Sequence, residues 1–274
     1  MKPAAFEYAR PATVAEAVRI LEANPDARVL AGGQTLGPML NLRLAQPAML
    51  VDITRISDLA AVEEEPSAIT LGAIVTHAAI EDGRVKDPTG GFLARVARGI
   101  AYRAVRTRGT VGGSLAHADP AADWLSCLTA LGAEVLIAGP RQDRRLALSQ
   151  FVRGAMDTQL APSDLIRAVR IPKFSARARF GYHKICRKAG EFAEAIGVVV
   201  RDPDTDCFRL AVSTAQGAPI VIDASGRADL WKSPPGEAAP LQNLVRQSGF
   251  SGDTYETRVR AAALHRALTR ALSA

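Results

Sequence analysis

The stretch Arg28-Val-Leu-Ala-Gly-Gly-Gln-Thr-Leu-Gly-Pro-Met-Leu-Asn-Leu-Arg-Leu44 decides how the first half of the chain is read. Residues 28–31 form a short apolar strand candidate that runs straight into Gly32-Gly33. Residues 38–44 then show helical periodicity, with Pro38 at a first helical position. Upstream, Thr13-Val-Ala-Glu16 has capping-box spacing and Val14, Ala17, Val18 and Leu21 follow at helical intervals, which predicts a helix over 13–23. The order is helix, strand, glycine turn, helix. A second glycine turn, Gly109-Thr-Val-Gly-Gly113, follows Arg103, Arg106 and Arg108. Behind it, Asp119-Pro120 reads as the N-cap and first residue of a helix reaching about residue 131.

Working outward, residues 49–53 and 69–75 read as strands, and Thr76 as the cap of a short helix carrying His77, Ile80 and Glu81. A helix is expected over 89–100. Residues 134–138 and 144–148 read as a hairpin about Gly139-Pro140, and 165–171 as a strand ending at Pro172. A domain boundary is placed at residue 173, with subdomains of about 1–55 and 56–173 before it. Strand candidates at 180–188, 195–201, 207–214 and 220–223 follow, then a loop over 232–237 and an amphipathic helix over 255–272. Strands beneath helices make 174–274 a small α+β unit, and the chain as a whole α+β.

Composition closes off several classes of function. With 274 residues, 48% hydrophobic and 23% charged, the chain is globular and long enough for a core without a metal or disulfide staple. Its apolar runs are only a few residues long, too short to span a membrane. The net charge of +6 is scattered among acidic residues, unlike a nucleic-acid-binding arm. Cys127, Cys186 and Cys207 are widely spaced, so no four-thiolate cluster or disulfide framework is expected and reduced thiols fit a cytoplasmic setting. His77, His117, His183 and His265 lack zinc-ligand spacing, and the first residues lack the apolar segment of a signal peptide.

The two glycine loops carry the chemistry. Glycines let successive N–H groups point into one concavity, and hydroxyl neighbours add donors, as a pyrophosphate requires. Neither loop has the spacing of the dinucleotide fingerprint or the Gly-Lys-Ser/Thr ending of a P-loop, so a different phosphate-binding scheme is needed. Each loop alone reads as a tight turn more readily than as a phosphate site.

In order along the chain stand Ala31-Gly-Gly-Gln-Thr-Leu36, Leu42-Arg-Leu44, Asp52-Ile53, Leu71-Gly-Ala73 with Thr76-His77, Arg108-Gly-Thr-Val-Gly-Gly-Ser114 and Ala118-Asp-Pro-Ala-Ala-Asp123. Together they resemble the FAD-binding medium subunits of molybdenum hydroxylases, the flavoproteins of carbon monoxide, xanthine and N-heterocycle dehydrogenases. Val169-Arg-Ile-Pro172, residues 182–192 and the arginine-rich last helix extend the resemblance over essentially the whole chain. It implies a vanillyl-alcohol-oxidase-type FAD-binding domain of two α+β subdomains, followed by the small C-terminal α+β domain of carbon monoxide dehydrogenase flavoproteins. It further implies an electron-transfer oxidoreductase subunit in a cytoplasmic complex. A large subunit with the molybdenum cofactor and a small subunit with 2Fe-2S clusters would be its partners, as a dimer of heterotrimers.

Carried over by position, the resemblance implies that Ala31, Gly32, Gly33, Gln34, Thr35 and Leu36 wrap the FAD pyrophosphate together with Thr110, Gly112, Gly113 and Ser114. Backbone N–H groups and the hydroxyls of Thr35, Thr110 and Ser114 would do the binding. Ala73 and Thr76 match the loop that approaches the cofactor, Asp123 would contact its nucleotide half, and Lys184 would lie near the isoalloxazine. The blander readings are a helix-dipole partner for Asp123, a solvated strand residue for Lys184 and a structural hydrogen bond for His77. Thr35 stands where Ser is usual, Asn41 where Lys is frequent and Glu191 where Asp is common. No catalytic acid or base and no metal ligand is nominated. A free-standing flavin oxidase and a flavin-free assembly subunit stay open as alternatives.

Overall fold

The computed structural model describes residues 2–232 and 235–273. Its first unit comprises β1 (Glu7–Ala9), α1 (Val14–Ala23), β2 (Ala27–Leu30), α2 (Leu36–Asn41) and β3 (Met49–Asp52). β1 and β2 both pair in parallel with the central β3. Parallel strands need crossovers: α1 joins β1 to β2 and α2 joins β2 to its neighbour β3, with Ala17, Val18 and Leu21 of α1 buried in one core with Val51 and Ile53. Thr13 caps α1, its hydroxyl accepting from the Glu16 N–H at 3.2 Å, while the Glu16 carboxylate accepts from the Ala12 N–H at 2.8 Å.

The second unit runs through β4 (Val62–Glu64), β5 (Ala68–Gly72), α3 (His77–Glu81), α4 (Phe92–Arg98), α5 (Arg103–Arg106), α6 (Val111–His117) and α7 (Asp123–Ala130). It continues through β6 (Glu134–Ala138), β7 (Arg144–Ala147), α8 (Leu148–Phe151), β8 (Val152–Gly154), β9 (Asp157–Thr158) and β10 (Leu165–Pro172). Its main sheet is antiparallel throughout, in the order β4-β5-β10-β6-β7. All eight residues of α7 are buried, the mark of a helix enclosed on every side.

The last unit is an antiparallel meander of β11 (Arg179–Ile185), β12 (Ala195–Asp202), β13 (Cys207–Val212) and β14 (Ile220–Asp223). It is followed by α9 (Ala228–Lys232), α10 (Ala239–Gln247) and α11 (Thr254–Leu272). β12 is buried at every position except Arg201, because α11 covers one face of the sheet and the second unit the other. Gly181 and Gly197 let α11 lie directly on the strands. A β-carbon at Gly181 would overlap the Ala267 carbonyl oxygen, and one at Gly197 the backbone of Ala263.

Three local expectations are corrected. Asp119 does not cap α7; its carboxylate accepts from the Ala121 N–H and its carbonyl from the Ala122 N–H, both at 2.9 Å. That is an Asx turn, a local alternative that Asp offers the backbone, and the helix starts four residues later. α2 begins at Leu36, which moves Pro38 to its third position. α4 begins at Phe92 because Gly90 and Gly91 take φ of 60° and 95°. Of the expected loop over 232–237, Lys232 ends α9, while Ser233 and Pro234 lie outside the described residues. α10, with Pro240 in its first turn and Leu241 and Val245 buried, is an addition to the elements expected from the sequence.

Candidate functional site

Three segments from different parts of the sequence meet at one place. Gly32 lies against the second loop: a β-carbon on it would overlap the carbonyl oxygen of Arg108 and stand 2.9 Å from Cα of Gly109. On the other side, a β-carbon on Gly112 would come within 2.6 Å of the Ala73 β-carbon. Thr76 and Thr110 form an isolated bridge, flanked by His77 N–H to Gly109 O at 2.9 Å and Val111 N–H to Val75 O at 3.0 Å. Ala31 to Leu36, Ala73 to Thr76 and Thr110 to Ser114 are therefore one continuous surface.

The first loop is open for binding. Gly33 has φ of 69°, a left-handed turn that glycine enters without penalty. The N–H groups of Gly32, Gly33, Gln34 and Thr35 make no hydrogen bond among the described residues. The Gln34 side-chain amide folds back to the Gly32 carbonyl at 3.2 Å. Gly32 is buried and Gly33 and Gln34 are half-buried, and enclosed N–H groups are nearly always paired, so these free donors fit an anionic ligand.

The second loop differs from expectation in its wiring. Its N–H groups are engaged inside the protein: Gly112 donates to Ala73 O at 2.9 Å, Gly113 to Thr110 Oγ1 at 3.1 Å and Ser114 to Thr110 O at 3.0 Å. The reason is that Thr110 caps α6, so the first turn of that helix satisfies its own donors. What this loop offers a ligand is the hydroxyl hydrogens of Thr110 and Ser114. Arg108 is exposed and has no acidic partner among the described residues. Arg103 and Arg106, by contrast, are taken up by α3. Arg106 is buried and grips Glu81 at 2.7 and 3.1 Å, and Arg103 holds Asp82 at 2.6 and 2.7 Å. Both carboxylates are held below their ordinary range, chiefly by the hydrogen bonds from these arginines.

Behind the bridge sits His77, 5% exposed, whose Nδ1 accepts from Trp124 Nε1 at 3.0 Å. Burial, with the nearby Arg106 charge, pushes its pKa down to about 4, so it is a neutral imidazole at pH 7. The residue after Ala122 starts α7 as Asp123, and the structure brings it to Lys184 of β11. The Lys184 ammonium lies 3.0 Å from the carboxylate and donates to Gly99 O at 2.7 Å; Tyr182 donates its hydroxyl to the same carboxylate. Both charged side chains are almost fully enclosed. Burial raises the Asp123 carboxyl, opposed by Lys184 and the Tyr182 hydroxyl, while Tyr182 itself is pushed up by burial and by the Asp123 charge. Asp123 and Lys184 thus bind each other across two units, a pairing that their separation in sequence hides. Tyr182 was the third member that sequence reasoning passed over.

A model of the FAD binding domain in molybdopterin dehydrogenase matches residues 4–174. The chain belongs to that family. This flavoprotein is 34% identical over 229 residues to the caffeine dehydrogenase subunit beta of Pseudomonas sp. strain CBB1, covering 82% of this chain and 78% of the relative. It is 34% identical over 228 residues to the carbon monoxide dehydrogenase medium chain of Hydrogenophaga pseudoflava, covering 82% and 79%. Among solved structures, carbon monoxide dehydrogenase from the same organism superposes with a TM-score of 0.86 at 31% identity, over 100% of this chain and 99% of that one. The flavoprotein therefore has the mixed α and β fold of those medium chains, and the residues of its glycine surface fit the FAD that the family binds.

Proposed function

We propose that this chain is the FAD-carrying medium subunit of a heteromeric molybdenum hydroxylase, a cytoplasmic oxidoreductase complex. It receives electrons from the 2Fe-2S clusters of a small subunit and passes them to an external acceptor. Oxidation of the organic substrate belongs to a large subunit with the molybdenum cofactor, in a dimer of heterotrimers. The observation that carries the reading is the row of unpaired N–H groups from Gly32 to Thr35, set against the hydroxyls of Thr110 and Ser114. Among the described residues no helix is long and apolar enough to cross a membrane.

In this reading Gly32, Gly33, Gln34 and Thr35 donate their N–H groups to the pyrophosphate, and Ala31, Leu36 and Gly113 shape the turn around it. Thr35, Thr110 and Ser114 add hydroxyl donors, and Arg108 supplies positive charge at the rim. Gly112 and Ala73 pack the two walls together, and Thr76 orients the loop between them. Bound FAD supplies a carrier that takes up two electrons and can exchange them one at a time. Asp123 and Lys184 are locked to each other at 3.0 Å, so the pair occupies one place and borders one half of the cofactor, not the nucleotide and isoalloxazine halves separately. Residues 1–173 make up the flavin domain, in two subdomains, and 174–274 the C-terminal domain.

The test is the absorbance spectrum of the purified chain with and without added FAD, followed by copurification with tagged large and iron–sulfur subunits. Stoichiometric FAD and a three-subunit complex are expected. A folded protein that takes up no FAD overturns the reading in favour of an assembly subunit, and a flavin-loaded protein without partners favours a free-standing oxidase.

A further inference from the structure

At the far end of the C-terminal sheet, Arg179 of β11 stands directly opposite Arg201 of β12, and Arg201 directly opposite Phe208 of β13. Like charges placed directly opposite in an antiparallel pair repel, and side chains there approach to about 5 Å. Neither arginine has a carboxylate partner among the described residues. Among the described residues the Arg179 side chain donates only to the adjacent Ala178 carbonyl at 3.1 Å, and the Arg201 guanidinium makes no hydrogen bond. Arg201 lies instead between two rings, 5.4 Å from the Phe208 centroid and 5.2 Å from that of Trp231, and those rings meet edge to face. Stacking on an aromatic face fixes a guanidinium in place without neutralising it.

The two arginines, with Arg177, Pro203 and Trp231, line a cleft of about 280 Å³. Arg177 is the neutralised member, paired with Asp204 at 2.7 Å. The cleft is remote from the Asp123–Lys184 pair: Arg179 and Lys184 are five residues apart on one strand, about 16 Å at ~3.3 Å per residue. They also point to opposite faces of the sheet, because side chains alternate along a strand.

We propose that this cleft is a second binding site, one that takes the phosphate of a phosphate ester whose apolar or aromatic part rests on Trp231 and Pro203. Two half-buried guanidiniums on neighbouring strands line the same cleft, and a tetrahedral dianion accepts from both at once. The anion turns the repulsion between Arg179 and Arg201 into attraction. The apolar wall gives it a reason to arrive as an ester.

The test is isothermal titration of the flavin-loaded full chain in chloride buffer with inorganic phosphate and, separately, AMP. Parallel melting curves are recorded for the wild type, Arg201→Gln and Arg179→Gln. Saturable binding is expected, with either substitution weakening it by at least about tenfold while bound flavin stays stoichiometric. Tighter binding of AMP than of phosphate identifies an ester as the occupant, and equal binding identifies free phosphate. Without added anion each variant should melt no lower than the wild type, because one of two repelling charges has gone, and phosphate should raise the wild-type melting temperature alone. If neither probe binds, or if binding survives both substitutions unchanged, the proposal is overturned. If Arg201→Gln disturbs the stacked rings, Arg179→Gln, which touches no ring, still decides the matter. Because flavin content is read in the same samples, failure here is separable from failure of the flavin assignment.

Discussion

Gly32 and Arg108 touch backbone to backbone, so closely that a β-carbon on the glycine would overlap the arginine carbonyl. The contact joins the parallel-sheet unit to the second unit at the point where free N–H groups face outward. Gly32→Ala should therefore push the two walls apart by on the order of 1 Å and lose most of the bound FAD. Overpacking of this kind costs roughly 1–3 kcal/mol in stability. Gly37→Ala, with open space at its β-carbon, is the control: full flavin content and an unchanged or slightly raised melting point. The ratio of flavin absorbance to protein in the two variants checks this.

His77 gives the fold a pH dependence with a definite sign. Its folded pKa, about 4, lies below the ordinary 6.5, so the unfolded chain binds the extra proton between those values. The stabilisation is complete above pH 6.5 and is lost as the pH falls toward 4, on the order of 3 kcal/mol across the window. His183, likewise lowered to about 4 by burial, contributes in the same window, so the comparison must be with His77→Gln. Urea midpoints at pH 7 and 5 should converge in the variant relative to the wild type. An equal pH slope in both proteins would reject the assignment.

Breaking the Asp123–Lys184 pair should be worse than removing it. Lys184→Met leaves an enclosed carboxylate with only the Tyr182 hydroxyl, at a cost of about 3–5 kcal/mol. Asp123→Asn combined with Lys184→Met removes both charges and should recover most of that loss. Denaturant midpoints give the stability, and the flavin content of the double variant tells whether the pair also holds the cofactor. Stoichiometric FAD there would restrict Asp123 and Lys184 to joining the units.

Thr110 has two jobs that substitution separates. Its Oγ1 accepts from Gly113 N–H to cap α6, and its hydroxyl hydrogen remains for a ligand. Thr110→Val should lose about 1 kcal/mol of stability with a clear drop in FAD affinity. Thr110→Ser, which keeps both functions, should stay near wild type. Flavin titration monitored by fluorescence quenching distinguishes the two.

Local signals in the sequence account for the elements that local interactions build. The Thr13 and Thr76 caps, the Gly139-Pro140 hairpin and the α11 face all follow from near neighbours along the chain. Both glycine loops were legible for the same reason. Most of what escaped depends on distance in sequence. β1 is a strand only because β3 lies beside it, and three residues carry too little pattern to announce that. Asp119 advertises a cap but satisfies itself in a turn. The closing of Asp123 on Lys184 rests on the core shared by the second and last units, which encloses α7 and which no spacing within either segment encodes.

The sheet of the last unit offers Phe180, Ile196, Val198 and Val200 to the same core that holds Trp124 and Leu128. A chain cut after Lys173 would therefore expose an oily floor on one fragment and an oily ceiling on the other, each with one member of an enclosed charge pair. Neither piece should be recoverable in solution when made alone, whereas the two made together in one cell should find each other. Reporter fragments fused at that cut would report on the assembly of this single polypeptide without touching its cofactor loops.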